Sequence, residues 1–220
     1  MLPTLIEEFQ IYLQPTQFID SDSPVVIGYA RKVSGEETTD IDKAIKLYYA
    51  VRDTIHYHFY RIDLNTDALK ASTVLARKFG FCISKAVLLA ALARAEGIPS
   101  RLGFADVRNH LCTDRLRRLM QSDLFIYHGY TELYLENKWV KATPAFDLSL
   151  CQRFKVTPLE FDGRKDSIFH QFDCNGNRHM EYVNDRGQFA DLPHGQIVEA
   201  MKEHYPALFS EKVGRYRWRL

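Results

Sequence analysis

Four cysteines and eight histidines supply the nucleophilic and proton-transferring groups of this 220-residue chain, and one pair among them is placed for joint chemistry. Cys82 opens the run CISKAVLLAALARAEG, whose alanines and leucines have high helix propensity and which Gly97 and Pro99 terminate. A thiol at a helix start meets N–H groups without intrahelical partners and the positive end of the aligned peptide dipoles, both of which favour thiolate. Gly80, two residues earlier, is expected to take a positive φ, turning the chain into the helix and leaving room for a substrate. His128, near the start of the alternating segment LFIYHGYTELYLE, is the matching base. Each residue has an ordinary alternative: free cysteine is among the most buried residue types, and a single histidine is commonly a surface group. The order of elements favours the functional reading, because nucleophile and base come within hydrogen-bond reach from separate elements.

Those two residues need a frame. SDSPVVIGYARKV reads as one helix, and IDKAIKLYYAVRDTIHYHFYRID as a second, with Ile41, Ala44, Ile45, Leu47, Tyr48 and Val51 at helical spacing. Asp40 is its expected cap, and its far end near Tyr57 to Tyr60 reads as extended. Between Asn65 and Ala71 there is no strong periodicity, whereas Cys82 to Glu96 is apolar on nearly all sides, which marks a central helix. Arg101 to Val107 reads as a strand, followed by the polar excursion RNHLCTDRLRRLMQSD with a short helix. LFIYHGYTELYLE and KWVKATPAF then form a β-hairpin around Glu136, Asn137 and Lys138, with His128, Tyr130, Glu132 and Tyr134 on one face. HQFDCNGNRHMEYV signals another hairpin at Asn175 and Gly176, and a last helix runs from Gly195 to Tyr205. The expected fold is α+β, a central helix packed on an antiparallel sheet within a single domain spanning 1–220. Its core covers about residues 45–150, with a helical segment 1–44 before it and a hairpin and helix extension 151–220 after it.

Bulk properties narrow the partners. Twenty-nine basic against 28 acidic residues create no overall field for nucleic acid or an anionic membrane, so a peptide or protein substrate is expected, with neither nucleic acid nor membrane. MLPTLIEEFQIYLQPTQF mixes acidic with apolar residues, which fits neither a secretory signal nor a span, and a cytoplasmic setting is expected. The scattered cysteines, Cys82, Cys112, Cys151 and Cys174, form no CxxC pair and are expected as free thiols. A zinc set of Cys82, His110, Cys112 and His128 lacks the close ligand pairs of structural sites, and His56 with His58 makes only half a metal site, so no metal and no cofactor is expected. His110 is read either as part of a lid bordering the cleft or as a solvated loop residue. Arg115, Arg117 and Arg118 read as a solvated helix face, and the terminal GRYRWRL as an anchor for the C-terminus.

GFCISKAVLLAALARAEGIPSR resembles the G-x-C-x-x-x-A helix ending in R-A-x-G-I-P-x-R of the transglutaminase-like superfamily. HGYTELYLENKWVKATPAFD resembles that family's H-x-W-x-E-x-Y…W-V-x-x-D-P segment, and VRDTIHYHF is similar to its short pre-core segment. The resemblance implies a papain-type cysteine fold with helix-borne Cys82, strand-borne His128 and a carboxylate on the next strand. It also puts Tyr57 and Tyr130 at the substrate site, Tyr130 replacing the family's tryptophan as an aromatic wall. Thr143 stands where the carboxylate before Pro144 is expected. Its hydroxyl can orient an imidazole but cannot stabilise imidazolium as a carboxylate does, and Asp147 is the alternative third member if the chain bends at Pro144. The implied chemistry is acyl transfer or hydrolysis on peptide or isopeptide amides, with Cys82 attacking, His128 moving the proton and the Cys82 N–H as an oxyanion donor. The competing reading is a domain that keeps the cleft and binds peptide or protein without turnover.

Overall fold

The computed structural model describes residues 9–110, 114–168 and 179–209. Helix α1 (Pro24–Ser34) packs beside α2 (Asp40–Thr54). Thr39, not Asp40, caps α2: its Oγ1 accepts the Asp42 N–H at 3.1 Å, while Asp40 is the first helical residue, where its charge faces the positive end of the helix. The extended stretch after α2 is short, comprising β1 (His56–Tyr57) before a 3-10 turn at Phe59–Arg61. Two helices, α3 (Thr66–Leu69) and α4 (Ala71–Arg77), follow. Strand β2 (Phe79–Gly80) pairs in parallel with β1 and leads directly into α5 (Cys82–Ala95).

The central helix is α5, buried on every side from Ile83 to Arg94. Its end is set by Gly97 at φ 80, with the Ile98 N–H donating to Ala93 O at 2.9 Å. Arg94 stays charged in this interior because its guanidinium donates to Gln14 O at 2.6 Å, Ser100 O at 2.8 Å and Ala190 O at 2.6 Å, tying three chain segments together.

The sheet against α5 contains β3 (Ser100–Asn109), β4 (Leu124–Leu135), β5 (Lys138–Ala142) and β6 (Met180–Phe189), antiparallel throughout in the order β5-β4-β3-β6. Helix α6 (Asp114–Met120) lies between β3 and β4 in sequence, α7 (Leu148–Phe154) follows β5, and α8 (His194–His204) and α9 (Pro206–Phe209) follow β6. The β4–β5 turn carries positive φ at Glu136 and Asn137, the geometry that matches the strand twist. Thr131 donates to Ala86 O at 2.9 Å and Leu133 joins the main core, so the odd-numbered face of β4 packs on α5. Tyr130, on the opposite face, joins a smaller cluster with Ala105, Val107 and Met180.

β6, which includes the end of the expected hairpin segment, is the fourth strand of this sheet and pairs with β3. The first half of the expected hairpin, with Cys174, Asn175 and Gly176, lies outside the described residues, as do Cys112 and the terminal GRYRWRL. Among the described residues no helix is long and apolar enough to cross a membrane.

Candidate active site

Cys82 starts α5 and is partly exposed. The backbone N–H groups of Gly129, Ile83 and Cys82 itself and the Tyr57 hydroxyl surround its sulfur and favour its anion. The Gly129 contact follows from the sheet: β5 stops at Ala142, opposite Thr131, so further along β4 the edge facing Cys82 is covered by no described strand. It also needs glycine, since a Cβ at 129 would stand 3.0 Å from Ile83 Cα. Cys82 therefore touches the backbone immediately after His128, whose side chain is buried at 5% exposure.

The Tyr57 hydroxyl reaches the sulfur because the parallel β1–β2 pair sets Tyr57 opposite Gly80. Its ring meets Phe146 edge-on at 5.1 Å, and burial followed by the neighbouring Cys82 pushes its ionisation well up, so it remains a proton donor. Gly80 does not have the positive φ expected from sequence. Glycine is required there by space: a Cβ would lie 2.5 Å from Ser84 Oγ, which accepts the Phe81 N–H at 2.9 Å and so braces the helix start.

Desolvation decides the state of the thiol. Burial pushes Cys82 up to about 11, outweighing the Gly129, Ile83 and Cys82 N–H groups and the Tyr57 hydroxyl that pull it down. The thiolate expected from the helix start alone is thus not the resting form at neutral pH, because the apolar surroundings of α5 cost the anion more than its donors return.

Thr143 is buried just past β5; its N–H donates to Ser167 O at 2.9 Å and its carbonyl accepts from Tyr48, but its Oγ1 has no hydrogen-bond partner among the described residues. It is therefore not hydrogen-bonded to His128 here. Asp147 caps α7: Oδ1 accepts from the Leu150 N–H at 3.0 Å and the Ser149 hydroxyl, and Oδ2 accepts the Tyr57 N–H at 2.8 Å. Burial raises this carboxyl, but the hydrogen bonds from Ser149, Tyr57 and Leu150 and the charge of Lys85 more than compensate, so it is held below its ordinary value. It thus holds the backbone of Tyr57, whose hydroxyl lies beside the Cys82 sulfur.

Tyr130 does not form an open wall. It is wholly buried over Gly103, where a Cβ would fall 2.2 Å from its ring, and the Lys141 ammonium lies 5.2 Å from the ring centroid. The family's aromatic at this position thus packs the sheet in this chain. His110 bonds Glu181 Oε2 at 3.0 Å past the end of β3, five residues beyond the Ala105 that pairs with His128, or roughly 16 Å along the strand. His58 is held by its N–H to Gly80 O at 2.7 Å, with its ring near Phe79.

One residue not singled out from sequence supports the site. Lys85, a turn beyond Cys82, is fully buried and donates to Arg52 O at 2.9 Å and Ile55 O at 2.6 Å, the C-terminal carbonyls of α2. That holds β1, and with it Tyr57, against the start of α5. Burial brings Lys85 down to about 7 although Asp147 and Asp53 oppose the shift. A lysine inside a helix apolar on all sides was the available sequence signal.

Comparison with known proteins agrees with this architecture. Searched against curated proteins, the chain finds no match. Among solved structures it is similar to a proposed cysteine protease from Cytophaga hutchinsonii, at 16% identity and TM-score 0.49, with 83% of this chain and 54% of that one covered. It is also similar to a TGase, at 14% identity and TM-score 0.37 over 66% and 34% of the two chains. A third likeness, at 12% identity and TM-score 0.38 over 60% and 46%, is to the arylamine N-acetyltransferase from Mycobacterium abscessus. The chain spans about half the length of the first, and likenesses this distant carry no argument about activity. The sequence signature of the transglutaminase-like superfamily matches residues 27–144, from within α1 to just past β5, and on that match over more than half its length the chain belongs to the transglutaminase-like superfamily.

Proposed function

We propose that this chain is a thiol-dependent acyl-transfer enzyme that hydrolyses amide bonds in a peptide or protein, with Cys82 as nucleophile and His128 as base. The observation that carries the reading is that the Gly129, Ile83, Cys82 and Tyr57 donors surround one sulfur at the start of the buried helix, in a residue that is itself partly exposed. Donors fixed on an atom that gains negative charge during reaction stabilise the transition state without reorganising. With the thiol neutral at rest, the proton leaves as the bond forms. Cys82 Sγ attacks the carbonyl carbon, its proton passes to His128 and then to the departing amine nitrogen, and the C–N bond breaks to leave a thioester. Water then attacks the thioester, gives a proton to His128, and releases the carboxylic acid and the thiol. Asp147 supports this geometry by holding the Tyr57 backbone, and Thr143 leaves imidazolium without a carboxylate at the family's usual position, which makes the reaction slow.

The thiol's upward shift and Thr143 also favour a second reading, a peptide-binding module without turnover. Incubation with p-nitrophenyl acetate separates the two. An enzyme releases p-nitrophenolate in a burst and carries the acetyl group on Cys82 by peptide mass mapping, with no burst in Cys82→Ser and a slowed one in His128→Ala. Acetylation that avoids Cys82, or a burst that survives Cys82→Ser, leaves the binding module as the reading.

A further inference from the structure

We infer that Asp106, held by Arg186, is a positioning residue that fixes the orientation of His128 by anchoring the β-bulge immediately before it. The inference rests on His128 acting as the base. Ala105 pairs with His128 and Val107 with Phe125, so Ile126 and Tyr127 of β4 stand opposite Asp106 alone. The extra residue, Tyr127, has φ 52, a conformation that side chains other than glycine rarely adopt and that surrounding contacts must hold. Because side chains alternate with period two, one residue more or fewer at this point swaps the faces of the strand on one side of it. The bulge therefore sets the path by which the backbone enters residue 128, opposite Ala105 in the register.

Asp106 supplies the holding contacts. Its Oδ1 accepts the Tyr127 N–H at 3.1 Å. Arg186 Nε donates to both carboxylate oxygens, at 3.0 and 2.9 Å, Arg186 Nη2 lies 2.8 Å from Oδ2, and Asn184 Nδ2 donates at 3.3 Å. The guanidinium also lies 4.9 Å from the Tyr127 ring centroid, so one arginine grips both the carboxylate and the bulged residue. The Asp106 side chain is 6% exposed and that of Arg186 27%, which keeps the pair largely out of competing water. Asp106 stands on β3, Tyr127 on β4 and Arg186 and Asn184 on β6, so these contacts tie the strand that carries His128 to the next two strands of the sheet.

The test is a double-substitution cycle on the wild-type, Asp106→Ala, His128→Ala and combined variants, following the first-order rate of Cys82 acetylation by p-nitrophenyl acetate. Misplacing a catalytic group by about an ångström slows a reaction on the order of 100-fold. Asp106→Ala is therefore expected to lose that much in rate with burst amplitude and half-saturating ester concentration unchanged, and to lose nothing further when His128 is already alanine. Asp106→Asn, which keeps an acceptor for Tyr127 but loses the ion pair, should fall between. An equal fold-loss in both backgrounds, or a fall in burst amplitude at unchanged rate, marks a merely structural pair and overturns the proposal. Should His128→Ala react as fast as wild type, the base reading fails and takes the proposal with it, a result visible whatever stands at 106. If Asp106→Ala does not fold, Arg186→Gln, which leaves the Asp106–Tyr127 bond in place, carries the same cycle, with a loss expected between wild type and about 100-fold that vanishes when His128 is alanine, and an equal loss in both backgrounds overturning the proposal.

Discussion

Alkylation of Cys82 by iodoacetamide is expected to be slower in the native protein than in the denatured chain, and the expected ratio follows from the site. Burial moves the thiol from its ordinary 9.0 to about 11. At pH 8 a change of that size reduces the thiolate fraction about 100-fold. A thiolate from a weaker acid is the better nucleophile, and a Brønsted slope of about 0.45 returns roughly eightfold over the same change. The net effect is a native rate about tenfold below that of the same cysteine in denaturant, with the native profile still rising above pH 9 where the denatured one levels off. The assay is timed quenching followed by quantitative mass spectrometry of the Cys82 peptide, with Cys82→Ser as the control. Cys151, fully buried and likewise pushed up to about 11, provides a slow internal standard. A native rate above the denatured one at pH 6 to 7, with an inflection below pH 8, would refute the reasoning, since the donors around the sulfur would then have outweighed its desolvation.

Four further outcomes are expected. Thr143→Asp puts a carboxylate where a buried hydroxyl has no hydrogen-bond partner among the described residues; it should raise the acylation rate at least tenfold while costing about 1–3 kcal/mol of stability, read by burst kinetics and urea denaturation, and an unchanged rate in a folded variant rejects residue 143 as the third position. Gly80→Ala drives a Cβ to within 2.5 Å of Ser84 Oγ and should destabilise by about 1–3 kcal/mol in the same denaturation, whereas a neutral result shows that the helix start yields easily. Tyr57→Phe removes one donor from beside the sulfur; about 1 kcal/mol lowers the thiolate fraction roughly fivefold and the better nucleophile returns about twofold, so native alkylation should slow roughly two- to threefold at fixed pH, and equal rates discount the hydroxyl. Both thiols have folded values raised above their unfolded ones, so their contribution to stability is fully present below pH 9 and is lost as pH rises through about 11. Melting temperature should fall across that window, less steeply in Cys151→Ala, and a pH-independent melt there contradicts the shifts.

The parts of the fold legible in sequence were those set by neighbours along the chain. Helix α5 declared itself by its apolar run from Cys82 and its Gly97 stop, and β4–β5 by alternation around Glu136 and Asn137, because propensity and periodicity act over a few residues. The Thr39 cap and the reason for glycine at 80 were one step beyond that reach, depending on which side chain faces which amide. What only the tertiary structure decided involves residues far apart in the chain: Tyr57 and Gly129 meeting at Cys82, Lys85 gripping the end of α2, Asp106 joined to Arg186, and β6 completing the sheet. Sequence by itself determined which helix carries the thiol and which strand carries the imidazole. The charge state of that thiol was decided by packing, since desolvation depends on everything that surrounds an atom and a helix start contributes only its own few amides.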